Sequence, residues 1–127
     1  MTTSGNRSVN PTFEPRYYTV SDIEGKEIAE GVAIRIFSGK AMTMSHVTIA
    51  PHALVPTHTH PHEQLGLVLE GDLEFWINED RRRLRSGDAY RIPPHVPHGA
   101  KGGVDDCVVL DVFSPVREEY EALYDIE

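Results

Sequence analysis

The most informative stretch of this chain is His58-Thr59-His60-Pro61-His62-Glu63-Gln64, which together with His98 further along predicts strands that converge on one site. Side chains two positions apart on a β-strand point to the same face, so His58, His60 and Gln64 share one side. Because His98 follows a separate turn, it must reach them from a neighbouring strand. Three imidazoles and an amide oxygen suit one divalent ion per chain, whether nickel, iron, manganese, cobalt or zinc, with positions left open for substrate.

A solvated surface tract is the alternative interpretation of residues 58–62. It does not explain why His98 stands in a second strand-and-turn context of its own. Gln64 is expected to be the fourth ligand, the alternative being that it only orients a water molecule. Pro61 interrupts the strand, so His62 is expected in a loop, beside the ligands rather than among them. The remaining histidines are expected to be ordinary rim, surface or core residues: His46, His52 and His95.

Length, charge and the number of cysteines limit the classes of protein to which this chain can belong. The 127 residues suit one domain, here residues 13–127, after a polar, flexible arm at residues 1–12. The formal net charge is −8 and no basic stripe occurs, which argues against a nucleic-acid partner. Cys107 is the only cysteine, so an internal disulfide is excluded and a reducing cytoplasm fits. Membrane spans need about 18 consecutive apolar residues, and no such run occurs.

Short alternating segments predict the fold class. Residues 32–37 and 41–49 alternate at period two, and residues 65–69 and 73–77 are expected to form a hairpin through Gly71 and Asp72. Further strands are expected at 82–85, 89–92 and 104–113, with one or two helical turns at 118–124. Many short strands separated by Gly and Pro turns favour an all-β sandwich or small barrel that can hold a ligand. Three side chains could line its interior or simply pack in its core: Met42, Met44 and Trp76.

A carboxylate interrupts the apolar strand at residues 107–113. By alternation, Asp111 shares a face with Phe113, and a buried charge there is costly unless a cation lies near it. A metal ion inside the barrel or Arg117 could be that cation. Asp111 is then either a general acid or base in a partly desolvated pocket or half of a structural pair with Arg117. The sequence leaves these two interpretations open.

Two spaced motifs resemble those of the cupins. In the first, His58-x-His60 is followed after three residues by Gln64 and after six more by Gly71; in the second, Gly87 is followed by Pro93 and His98. The chain departs from the usual cupin pattern at Gln64, where most members have Glu. The resemblance implies a double-stranded β-helix, or jelly-roll barrel, and a homodimer.

The run from Asp111 to Tyr120 resembles the C-terminal signature of one cupin subgroup, the KdgF-type pectin-degradation proteins. Their first motif also resembles residues 58–64, Gln64 included. This resemblance implies conversion of 4,5-unsaturated uronates, the monomers left by pectate and alginate lyases, into linear 4-deoxy-5-ketouronates. It also implies the roles of seven residues: the metal ligands His58, His60, Gln64 and His98, the acid or base Asp111, the pocket residue Phe113 and the substrate-binding Arg117.

The chemistry of these residues agrees with an acidic substrate. All four ligands are neutral, so the ion keeps its full charge and favours a small, chelating, sugar-acid-like anion. The metal would act as a Lewis acid while Asp111 moves a proton, without redox chemistry. Two other classes remain: a metal-dependent dioxygenase, which gives Asp111 no special role, and a non-catalytic acid-binding sensor. Polyketide cyclases and other single-domain cupin lyases are also possible.

Overall fold

The computed structural model describes residues 13–124. The predicted arm, residues 1–12, lies outside this range, as do residues 125–127. The described part contains ten strands, a 3-10 turn at Val20–Asp22 and one α-helix, α1, at Glu118–Glu121, which confirms the all-β prediction and its short C-terminal helix. None of the helices in this part is long and apolar enough to cross a membrane.

The strands are β1 (Lys26–Ala29), β2 (Val32–Ser38), β3 (Thr43–Ile49), β4 (Leu54–His58), β5 (Glu63–Glu70), β6 (Asp72–Ile77), β7 (Asp80–Arg85), β8 (Ala89–Ile92), β9 (His98–Gly102) and β10 (Cys107–Ser114).

The strands form two antiparallel sheets. The larger sheet has the order β1-β2-β3-β10-β5-β8, and the smaller has the order β4-β9-β6-β7. Residues from both sheets contribute to one buried core, including Val32, Val47, Val68, Leu73 and Phe75. Because β10 lies between β3 and β5, the last strand completes the larger sheet and brings its inward side chains to the centre of the molecule.

Alternation decides which side chains face this centre. On β10 the inward face is the one that the period-two pattern assigned to Asp111, whereas on β3 the inward face is the one opposite Met44; the intervening residues of both strands are less buried. The inward residues are Thr43, Ser45, Val47 and Ile49 on β3, and Cys107, Val109, Asp111 and Phe113 on β10.

The predicted hairpin at residues 65–77 is wrong. Strand β5 pairs with β10 and β8 in the larger sheet, whereas β6 pairs with β9 and β7 in the smaller. Gly71 is the link between them. Its φ is +75°, and a Cβ there would overlap the carbonyl oxygen of Asp106, so glycine is needed at this corner. A corner and a hairpin look alike in sequence because both place a glycine between two alternating segments.

The three side chains considered for the interior lie elsewhere. Met42 is 51 % exposed, and Met44 is on the outward face of β3. Trp76 is buried, but it does not line the central cavity, where its neighbour Phe75 takes the inward position. The indole of Trp76 donates a 2.8 Å hydrogen bond to Oγ1 of Thr57, the residue before His58. Trp76 therefore supports the end of β4 from outside.

Candidate functional site

Three histidines meet at one end of the smaller sheet. His58 is the last residue of β4, His60 follows it after one residue, and His98 begins β9 directly opposite His58. The ring centroids are 4.4 Å apart for His58 and His98, 4.9 Å for His60 and His98, and 5.6 Å for His58 and His60. One nitrogen of each ring lies within 4.8 Å of the others. The structure thus brings together the three histidines that the sequence singled out.

Backbone carbonyls orient all three imidazoles. The Nδ1 atom of His58 lies 2.8 Å from the Pro56 oxygen, that of His98 lies 2.8 Å from the Val96 oxygen, and that of His60 lies 3.1 Å from the oxygen of residue 62. A carbonyl only accepts hydrogen bonds, so each Nδ1 carries the proton and each Nε2 presents a lone pair. Metal-binding histidines use this same arrangement to direct one nitrogen at the ion.

Gln64 completes the cluster from β5. Its Oε1 atom is 3.0 Å from Nε2 of His60, and the side chain is buried. With the proton of His60 on Nδ1, two lone pairs face each other there, which is favourable when a cation lies between them. The Nε2 atom of His98 is also buried without a hydrogen-bond partner in residues 13–124. The donor set therefore fits a divalent ion.

Burial favours the neutral form of two of these imidazoles, those of His60 and His98. Burial is the main reason that the pKa of His98 is lowered to about 4. The pKa of His60 is also lowered, first by burial and then by the charge of Arg117. Because a metal ligand must be the neutral imidazole, these shifts remove the competition between protons and metal.

Asp111 lies beside this cluster on the inward face of β10. It is 8 % exposed, and its Oδ1 atom accepts a 2.6 Å hydrogen bond from the hydroxyl of Tyr90. Burial raises the pKa of Asp111 to about 6, while hydrogen bonds from Tyr90 and Gln64 and the charge of Arg117 oppose the rise. A carboxyl group with this pKa can release and recover a proton near neutral pH.

Arg117 does not form the structural pair with Asp111 that the sequence left open. Its Nε atom donates a 2.7 Å hydrogen bond to Glu119 instead, although Arg117 and Asp111 line the same cavity. The guanidinium carbon lies 4.7 Å from the ring centroid of Phe113 and 4.0 Å from that of Tyr120. The charge is thus held at the cavity against two aromatic rings.

Phe113 forms the wall between the histidines and Arg117. It is 2 % exposed, and its ring centroid lies 5.5 Å from that of His60 in an edge-to-face contact. The cavity that these side chains surround has a volume of about 50 Å³. Its lining combines apolar residues of both sheets with seven polar ones: His58, Gln64, Tyr90, His98, Asp111, Arg117 and Tyr120.

The other histidines lie outside the trio. His62 is buried, and its Nε2 atom lies 3.2 Å from a carboxylate oxygen of Glu118. This contact joins α1 to the loop between β4 and β5. His95 is exposed at the rim with a φ of +68°, and its backbone N–H donates to the carbonyl oxygen of His60 at 2.8 Å. Both placements agree with the expected loop and rim positions.

Sequence reasoning missed two residues of this site, Tyr90 and Glu119. Tyr90 is two positions before the buried Ile92 on β8, so alternation along that strand was a signal that could have placed it inward. For Glu119 the sequence offered no comparable signal, because it stands beside other exposed carboxylates on α1.

Comparison with known proteins identifies the family. The cupin domain matches residues 45–113, more than half of the chain, and the chain belongs to this family. It is similar to the pectin degradation protein KdgF of Dickeya dadantii, with 29% identity over 107 residues that cover 83% of this chain and 97% of that protein. The structure of KdgF from Halomonas sp. matches with a TM-score of 0.79 and 28% identity, over 84% of this chain and 99% of that one.

A partial match adds a second relative. The H2HPP isomerase of Bacillus subtilis is 37% identical over 66 residues, which cover 50% of this chain and 28% of the isomerase. The chain is thus a KdgF-like cupin, and the predicted jelly-roll fold and family resemblance are confirmed.

Proposed function

We propose that this chain is a metal-dependent, non-redox enzyme that converts 4,5-unsaturated uronates from pectin or alginate breakdown into linear ketouronates. One observation carries the proposal: a single cavity is lined by His58, Gln64 and His98 together with Asp111 and Arg117. The similarity to KdgF over most of both chains supports the substrate class. The match to an isomerase supports a reaction without net oxidation.

The ligands for one divalent ion are His58, His60, Gln64 and His98. Bound there, the ion supplies Lewis-acid polarisation of a substrate oxygen. The donor set is neutral, because Gln64 stands where most cupins have Glu and the pKa values of His60 and His98 are lowered. A neutral set favours an anionic substrate over a neutral one. Nickel, iron, manganese, cobalt and zinc all suit these atoms.

Arg117 binds the substrate carboxylate. It is buried, packs against the rings of Phe113 and Tyr120, and lines the cavity. Its present partner, Glu119, has a half-exposed side chain and can turn into solvent when a substrate carboxylate takes its place. The net charge of −8 repels acids at long range, so attraction must come from such local charges.

Asp111 moves the proton. When the substrate ring opens, Asp111 takes the hydroxyl proton at C1 as the bond between C1 and the ring oxygen breaks, and it returns this proton to that oxygen, giving an aldehyde at C1 and an enol at C5. Tautomerisation then adds a proton at C4 and removes the enol proton, giving the 5-keto product. Substrate and product have the same composition, so a carboxylate that accepts and returns a proton is sufficient and no oxidant is needed.

An absorbance screen tests this function. The unsaturated monomers derived from galacturonate and from alginate (mannuronate and guluronate give the same one) are followed under nitrogen by loss of the conjugated double bond, with and without added divalent metals. We expect accelerated loss with metal for at least one substrate. Turnover that requires oxygen would favour the dioxygenase, and binding without turnover would favour the sensor.

We further propose that the enzyme is a cytoplasmic homodimer. The free, buried thiol of Cys107 suits a reducing compartment. On the outward face of β5, three leucines are exposed beside the outward side chains of β10, and such a row suits burial against a second copy. The leucines are Leu65, Leu67 and Leu69.

A further inference from the structure

We infer that Tyr90 is a positioning residue for Asp111, holding its carboxylate in the orientation that proton transfer needs. The inference rests on the proposed function, because it assigns Tyr90 a part in the reaction proposed for Asp111.

The contact between Tyr90 and Asp111 spans three neighbouring strands, β8, β5 and β10, at positions that are in register with one another. Tyr90 on β8 is in register with Gly66 on β5, and Gly66 is in register with Asp111 on β10. The ring of Tyr90 lies over Gly66, where any Cβ would overlap the ring, and its hydroxyl reaches Oδ1 of Asp111 at 2.6 Å. Only a residue without a side chain at position 66 leaves this route open.

The ring itself is held in place. Tyr90 stacks on Phe75 of the opposite sheet, with a centroid distance of 4.1 Å and an interplanar angle of 25°. A ring fixed on one side by Phe75 and on the other by the backbone of Gly66 has one direction left for its hydroxyl. That direction is Asp111.

The direction of the hydrogen bond between Tyr90 and Asp111 is also defined. The pKa of Tyr90 is raised well above its ordinary value, first by burial and then by the charge of Asp111, so the phenol stays protonated and donates. Hydrogen bonds from a hydroxyl to a carboxylate are short and strong. By engaging Oδ1, Tyr90 limits rotation of the Asp111 carboxylate, which leaves the other oxygen with a defined direction.

Steady-state kinetics on nickel-loaded protein with unsaturated galacturonate test the inference. Tyr90→Phe keeps the stacked ring and removes the hydroxyl, and misplaced catalytic groups cost up to about 100-fold in rate. We expect kcat to fall about 10- to 100-fold with KM unchanged. The matched control is Tyr124→Phe, whose hydroxyl donates to the carbonyl oxygens of Glu24 and Ile34; it should keep the wild-type kcat.

A double-mutant cycle separates positioning from a merely structural role. If Tyr90 acts through Asp111, then Tyr90→Phe has no further effect on kcat once Asp111 is replaced by Asn. The inference would be overturned if the two substitutions lowered kcat independently, so that their effects multiplied in the double mutant. A wild-type kcat for Tyr90→Phe would overturn it as well. A wild-type protein without turnover would instead contradict the proposed function, and the inference with it.

A second variant serves if Tyr90→Phe does not fold. Gly66→Ala removes no polar group but displaces the Tyr90 ring, so folded Gly66→Ala protein should show the same fall in kcat at unchanged KM. Full activity of this variant would contradict the inference.

Discussion

The guanidinium of Arg117 donates its Nε hydrogen bond to Glu119, at 2.7 Å, while the carboxylate of Asp111 receives its bond from Tyr90. The two charged residues of the cavity thus have separate partners, and these partners differ in exposure. The side chain of Glu119 is 52 % exposed, whereas Tyr90 lies in the interior. Under the proposed function, we expect a substrate carboxylate to replace Glu119 as the partner of Arg117 and Tyr90 to remain bonded to Asp111.

Removing the exposed partner should strengthen substrate binding. Glu119→Gln leaves Arg117 without its competitor, and exposed ion pairs are worth up to about 1 kcal/mol, so we expect KM for an acidic substrate to fall about 2- to 5-fold. Arg117→Ala should raise KM by at least about 10-fold, because hydrogen bonds to charged groups contribute about 1.5–3 kcal/mol. Both are measured by steady-state kinetics.

Glu30→Gln is the matched control for charge. Glu30 is exposed in the turn between β1 and β2 and does not line the cavity, so its substitution makes the same change in net charge without removing a partner of Arg117 and should leave KM unchanged. Equal shifts in KM for Glu119→Gln and Glu30→Gln would show that the effect comes from net charge and not from competition for Arg117.

Replacing Gln64 by Glu should retain the metal and weaken anionic ligands. The substitution introduces a negative charge among the ligands and replaces the amide that hydrogen-bonds Asp111 with a second carboxylate. We expect unchanged metal content and about 10-fold weaker binding of galacturonate, a difference of about 1.4 kcal/mol. Calorimetric titration measures the affinity. An unchanged affinity would remove the charge argument for Gln64.

Asp111→Asn should abolish most turnover without loss of fold. Asn keeps an oxygen for the Tyr90 hydroxyl but cannot accept a proton, and general acid–base groups contribute about 10²–10⁴-fold, so we expect a fall in kcat of that order. Metal content should not change. Steady-state kinetics and elemental analysis of the same preparation check both parts.

The stability of Asp111→Asn should depend on pH in a defined direction. In the folded, metal-free protein the pKa of Asp111 is raised from 3.8 to about 6, so ionisation opposes folding. The stabilising contribution of the neutral carboxyl is complete below about pH 4 and is lost as the pH rises through 6. Above pH 6, metal-free Asp111→Asn should therefore exceed the wild type in free energy of unfolding, by up to about 3 kcal/mol. Urea unfolding from pH 4 to 8 measures this, and a pH-independent difference would contradict it.

The outward face of β5 should hold the dimer together. Leu67 is exposed and in register with Leu110 of β10, so Leu67→Glu places a charge inside the proposed interface. Light scattering after size exclusion should show a dimer for the wild type and a monomer for Leu67→Glu. Leu54→Glu, at an exposed leucine of the other sheet, is the control and should stay dimeric. A monomeric wild type would rule out the dimer.

The inward residues could be predicted from the sequence because period-two alternation is a local property. It placed Gln64, Asp111 and Phe113 on inward faces, and the histidine spacing predicted the convergence of the trio. Pairing between distant strands is not local. The corner at Gly71 was therefore mistaken for a hairpin, since the partner of β5 is β10, near the end of the chain.

Side-chain partners were harder still to predict. The contact between Tyr90 and Asp111 depends on three strands being in register and on Gly66 between them. The bond between Arg117 and Glu119 joins neighbours in the sequence, but two other carboxylates of α1, Glu118 and Glu121, were equally available candidates. The first contact leaves no spacing that a single sequence reveals, and for the second the spacing does not distinguish Glu119 from its acidic neighbours.

A proton NMR time course under nitrogen tests the central claim most directly. Metal-stripped protein is mixed with unsaturated galacturonate, and nickel is added stepwise. We expect the keto product to form faster than in the spontaneous reaction, at a rate that rises with added metal and levels off near about one equivalent per chain. A rate equal to the spontaneous background at every metal concentration, both for this substrate and for the alginate-derived unsaturated monomer, would contradict the account.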